Sequence, residues 1–384
     1  MMEYSTTIAE LSIYGYACSH LTRPKLIPKF MFGQKFVFSV VALIVVSLIG
    51  WLGLTQLRTH SAPPTVKIGL VAPFEGLYRA TGYEVLFAVK LAIQERNRGQ
   101  GLHGYRVELV ALNDFNDPLE AEKQARALVA DPDIVGVVGH LTAETTQQAL
   151  PVYQQAGLAV SIPWSVAETA FESETSGFVS VAATVEETQT ELQATVQSLG
   201  IDKVVTLTDH EVDVSLNPQQ AVELASNAVT AGRILLTLPT SAAGTHFRFG
   251  QVETGNLQLV QVAGGVANGF IFVSPGPTAA EAPGGVAFSQ AYQALSGLSP
   301  GPRAIMAYDA THVLLDAIEQ ATANSSEWLA SSPSRAEVSA VIPQIQRVGL
   351  SGEIHFSPAG QRFEAPVWLY QITNASYPGK SFYP

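Results

Sequence analysis

GHLTAETT, residues 139–146, sets Thr142, Ala143, Glu144 and Thr145 at the start of a segment that reads as a helix toward Gln155. The first N–H groups of a helix lack intrahelical partners and carry the positive end of the macrodipole, so such a start suits a carboxylate. Glu144 works against that use. It stabilises a first turn, but facing a cleft it would oppose a bound anion at the same place. Trp164 and Ser165, in the loop after AVSIP (159–163), are positioned to stack on and hydrogen-bond a ligand. Asp209, Glu211 and Asp213 in DHEVDV can meet a cationic or amino group.

Other clusters point away from catalysis. NDFNDP (113–118) gathers carboxylates, yet it lacks the glycine and glutamate of a calcium loop and reads as a strand end followed by a helix cap. His140, after a buried run, reads as a hydrogen-bonded structural histidine. No G-x-S-x-G, H-E-x-x-H, Walker A or G-x-G-x-x-G occurs, and the eight histidines do not pair at ligand spacing. We therefore expect no enzyme activity, no metal site and no cofactor.

The elements that must hold these residues alternate between strand and helix. VKIGLVA (66–72), RVELVAL (106–112), the run from Ile134 and AVSIP read as strands, with helices over 82–94, 118–130 and from Thr142. Asp117 and Pro118 supply an N-cap and first helical residue. This order predicts a parallel sheet with helices on both faces and ligand loops beyond the strand ends. A second unit begins near Thr184. Helix 186–198, strand 203–208, helix 219–231 and strand 233–238 are followed by a Gly, Ala, Thr and Asn-rich stretch, 240–268, with little strand or helix signal. GFIFVSP (269–275) reads as a strand, 308–322 as a helix, and 352–372 as a β-hairpin turning at Pro358 to Gly360.

Ahead of this lies Phe36 to Leu54, 19 residues without a charge, long enough for a transmembrane helix. Arg23, Lys25, Lys29 and Lys35 precede it and only Arg58 closely follows, so the positive-inside rule leaves 1–35 cytoplasmic and the rest outside. The alternatives are a single-pass cell-membrane protein with 55–64 as linker, or a secreted or periplasmic one after signal cleavage. Beyond residue 60 there are 16 Lys and Arg against 31 Asp and Glu, which argues against nucleic-acid binding. Cys18, the single cysteine, precedes the apolar run, so the folded part holds no disulfide.

IGLVAPFEG, TGYEVLFAVKLAIQERN, GLHGYRVELVALNDFNDPLEAEKQARALV, IVGVVGHLTAETTQQALPVYQQAGLAVSIPWS, AYDATHVLLDAIEQA and GLSGEIHFSPAGQRFEAPVWLYQI together resemble the type I periplasmic solute-binding proteins of the leucine/isoleucine/valine branch. The resemblance implies an α/β two-lobed periplasmic-binding-protein-like fold with three hinge crossings. Lobe one would be 65–183 with 284–332, and lobe two 184–283 with 333–384. It also implies closure on a small amino-acid-like ligand and delivery to ABC permease subunits, with the ligand carboxylate at the 142–146 helix start. Ala143 and Val166 stand where that family has hydroxyls, and DHEVDV where it often has a Tyr-Gly pair. Against the family resemblance that the rest of the chain carries, one unit is expected to be missing over 240–268. A second reading stays open: a membrane-tethered sensor or interaction module with a degenerate ligand site.

Overall fold

A computed structural model describes the backbone of residues 31–58, 63–99, 101–171, 177–201, 203–208, 220–238, 247–324 and 333–383. Contacts divide the chain at Ala62 and Pro63 into two units, each taken by itself. In the first, α1 spans Met31–Arg58. Its described side chains, residues 37–50, are all exposed, and all are apolar but Ser39 and Ser47. Among the described residues no helix is long and apolar enough to cross a membrane. The expected span, 36–54, runs beyond that described stretch.

The second unit holds two large sheets and a two-stranded antiparallel pair, β10 (Arg347–Gly349) with β11 (Gly352–Ile354). In sheet one, β1 (Thr65–Ala72) lies between β2 (Arg106–Asn113) and β3 (Ile134–Val138), followed by β4 (Ala159–Ile162) and β5 (Phe178–Ser180), all parallel. Parallel strands covered on both faces should read as continuous apolar runs, and Ile68, Leu70, Val137, Val138 and Val160 are at most 1% exposed. The crossovers α2 (Arg79–Arg98), α3 (Pro118–Ala130) and α4 (Ala143–Gln155) follow the sequence pattern. Asp117 caps α3 by accepting from the Glu120 N–H at 2.9 Å. Beyond the ends of β2 and β3, the buried Asp114 carboxylate and the Tyr153 hydroxyl of α4 flank His140 at 3.0 and 3.1 Å, so this histidine is a structural member of the core.

Sheet two is ordered β13-β12-β9-β8-β7-β6. Its strands β6 (Val204–Leu207), β7 (Ala221–Leu224), β8 (Arg248–Gly250) and β9 (Phe270–Ser274) are parallel; β12 (Trp368–Thr373) and β13 (Ser376–Ser381) run antiparallel at the edge. Helix α5 (Val185–Ser198) carries a Thr184/Glu187 capping box and packs on β9.

Three expectations are corrected in this half. The predicted helix 219–231 and strand 233–238 are a strand, β7, and a helix, α6 (Ala228–Thr237). AVEL is short and buried between two strands, so it lacks alternation. Asn227 Oδ1 then accepts from the N–H groups of Val229 and Thr230, starting a helix that turns Ala228, Ala231, Ile234 and Leu235 inward. The unit expected to be missing is present in shortened form, as β8 and α7 (Leu257–Ala263), with Asn256 as cap. The C-terminal turn at 358–360 closes only one bridge, Phe356 with Arg362. The longer hairpin is β12–β13, whose turn has Asn374 and Ala375 at φ +53° and +49°, the left-handed values such tight turns require.

From β9 the chain returns to sheet one. Helix α8 (Gly285–Ser296) packs on α2, α9 (Pro302–Asn324) on α2, β3 and β4, and α10 (Arg335–Val341) on β3 and β4. Lobe one therefore reclaims residues beyond the 284–332 bound expected from the resemblance. Near the last crossing, buried Arg362 donates to the carbonyls of Val181, Ser351 and Glu353 and to the Ser351 hydroxyl.

Candidate ligand-binding cleft

The loops beyond the strand ends of both sheets enclose a cavity of about 580 Å³. Lobe one contributes Pro73, Tyr78 and Thr81 around the start of α2, Asn116 and Pro118 at α3, Leu141, Thr142 and Glu144 at α4, and Arg303 from α9. Lobe two contributes Ser226 and Asn227 before α6, and Gln251, Glu253, Thr254 and Asn256 between β8 and α7. A cavity of this size suits a small solute. The walls touch through Gln258, whose side-chain oxygen lies 3.4 Å from the Thr81 hydroxyl and whose amide donates to the Leu77 carbonyl at 3.4 Å.

The α4 start is built tightly. Thr142 is the N-cap, with its Oγ1 accepting from the Thr145 N–H at 3.4 Å and lying 2.9 Å from the Thr145 hydroxyl. The Thr146 hydroxyl donates to the Thr142 carbonyl at 2.7 Å. These hydroxyls are thus committed to the helix itself. Ala143 brings no polar side-chain atom, while Glu144, exposed, lines the cavity from the first turn.

Trp164 and Ser165 are 2% and 1% exposed and lie behind the wall rather than in it. Trp164 supports Arg303, whose guanidinium carbon sits 3.8 Å from the ring centroid, a cation–π contact in a nearly dry site. Asp209, Glu211 and Asp213 fall outside the described residues.

Two charged lining groups escaped the sequence reading, Arg303 and Glu253. Glu84 of α2, half-buried, accepts from the Ala304 N–H at 3.0 Å, which fixes the start of α9 and hence Arg303. Arg303, 3% exposed, donates to the Leu141 carbonyl at 3.1 Å and reaches Glu253 of the other lobe at 3.5 Å. Glu253 is pushed up to about 7, first by burial and then by the negative Glu144, against the pull of Arg303. Arg303 was legible as a lone charge opening an apolar helix. Glu253 had no signal, because its neighbourhood lacks periodicity.

The sequence profile of the periplasmic binding protein family matches residues 65–235 and 241–377. An amino acid binding protein of Pseudomonas aeruginosa is 30% identical over 126 residues, 33% of this chain and 32% of that protein. The Leu/Ile/Val-binding protein of Escherichia coli is 28% identical over 102 residues, 27% of this chain and 28% of its own length. These matches span about a third of the relatives' length. The branched-chain amino acid transporter substrate binding protein of Streptococcus pneumoniae, in complex with isoleucine, shares the fold at TM-score 0.70 and 19% identity, over 83% of this chain and 100% of that one. With the profile covering both lobes, the chain belongs to the periplasmic binding protein family.

Proposed function

We propose that this chain is an extracytoplasmic solute-binding protein that closes two lobes on a small amino-acid-like ligand and delivers it to ABC-type permease subunits. Its role is binding rather than catalysis. The observation that carries this reading is the 580 Å³ cavity lined by polar side chains from both lobes. The start of α4 forms part of the lobe-one wall, with Thr142 and Glu144 lining the cavity and Ala143 and Thr145 in the same turn. Residues 36–54 act as a membrane anchor, with 1–35 cytoplasmic and the two lobes outside.

A thermal-shift screen of the full-length protein against amino acids, short amides and polyamines tests the binding role. A ligand at 100 times its Kd adds about 2.7 kcal/mol of stability. A second reading, a tethered sensor or interaction module with a degenerate site, is favoured by one observation: Arg303 already bridges to Glu253 across the cleft. A folded sample unshifted by every solute selects that reading. Protease added to intact cells without an outer barrier should remove the lobes, and protection would refute the orientation.

A further inference from the structure

We propose that the cleft selects a solute of net positive charge, an amino acid with a basic side chain, and that Glu144 is the specificity-determining residue. This rests on the solute-binding reading above and names its substrate class.

Among the described residues the charged lining is Glu144 and Glu253 against Arg303, a formal excess of one negative charge. Arg303 and Glu253 face each other at 3.5 Å and balance one another. Glu144 has no ion-pair or hydrogen-bond partner among the described residues, and it carries the excess. Its position matters as much as its charge. The positive end of the α4 dipole is answered by this carboxylate from within the same turn, and the hydroxyls of Thr142, Thr145 and Thr146 bond within the turn. A ligand carboxylate placed there would meet a like charge.

The cleft offers an anionic ligand group another cation. Arg303 lines the cavity, is 3% exposed, and its Nε has no hydrogen-bond partner among the described residues. A basic amino acid satisfies all three groups: carboxylate to Arg303, α-amine to the lobe-two carboxylate, and side-chain cation to Glu144. Glu144 and Glu253 belong to different lobes and repel one another, so a cation between them also favours closure. A neutral side chain leaves Glu144 uncompensated when the cleft shuts.

Isothermal titration of the full-length protein in mild detergent with L-lysine, L-ornithine, L-leucine and L-glutamate tests this, alongside Glu144→Gln with its fold checked by circular dichroism. Lysine or ornithine should bind at least about tenfold more tightly than leucine. Glu144→Gln should cut that ratio by about tenfold or more, the scale of losing one charged pair. Leucine binding as well as lysine, or a ratio unchanged in the variant, overturns the proposal and leaves the solute-binding role standing. A folded protein that binds none of the four overturns the proposal, and silence in the wider screen as well removes the solute-binding role itself.

Discussion

Glu253 concentrates the electrostatics of the cleft in one side chain. Burial and the nearby Glu144 both disfavour its charged form, and Arg303 only partly offsets them, so its carboxyl is raised from 4.5 to about 7. An acid raised by folding binds its proton more tightly in the folded state. Its contribution to stability is therefore fully present below the unfolded value, near 4.5, and is lost as pH rises through about 7. Measured by thermal melting without ligand, wild type should lose stability relative to Glu253→Gln from pH 4.5 to 7, then run parallel to it above pH 8. A difference that stays flat, or that grows in favour of wild type with rising pH, refutes the assignment. The residue is partly exposed, at 34% of its side chain, so screening reduces the size of the effect without changing its sign.

At the scale of elements, the wall of the cleft depends on how closely α2 approaches the end of β1. A Cβ on Gly82 would lie 2.1 Å from the Pro73 carbonyl oxygen, and backbone cannot swing aside as a side-chain tip can. Gly82→Ala must push the helix start outward, together with the cavity-lining Thr81. Overpacking of this kind costs about 1–3 kcal/mol, so the melting temperature should fall by several degrees and ligand affinity with it. Gly265→Ala, where no atom lies within 4 Å, should leave both unchanged. Equal behaviour of the two variants would show that the contact at Gly82 is not restrictive.

The same comparison of elements explains what the sequence made legible. From β1 to α4 two of the three helix starts have a sequence mark, Asp117 before Pro118 and Thr142 before Ala143, and the strands β1 and β3 are largely apolar runs. In lobe two the marks were weaker. β7 and β8 have four and three residues, too few to show a period, and RILLTL carries apolar residues that fit strand alternation as well as a helix face. The candidate site was half legible for a related reason. Thr142 and Glu144 are announced by their own helix start, whereas Glu253 and Arg303 lie 50 residues apart in sequence and meet only when the lobes do.

For the molecule as a whole, the side-chain bonds that cross the cleft among the described residues are few: Gln258 with Thr81 and Leu77, and Arg303 with Glu253. Interfaces this small leave relative motion as the default. Arg303 is the cation that offsets the repulsion Glu253 feels from Glu144. Arg303→Met keeps an unbranched apolar stem against Trp164 while removing the charge and the bond to the Leu141 carbonyl. Spin labels on cysteines at the exposed Leu119 and Leu236, one in each lobe, with Cys18→Ser, would report the separation. The Arg303→Met form should show a longer and broader distance distribution than its parent in the absence of ligand, because Glu144 and Glu253 then repel without a counter-charge. High salt should restore part of the shorter distance, since partly exposed charges are screened within about a Debye length. Identical distributions for the two proteins at low salt would mean that packing, and not the charge of Arg303, holds the lobes together.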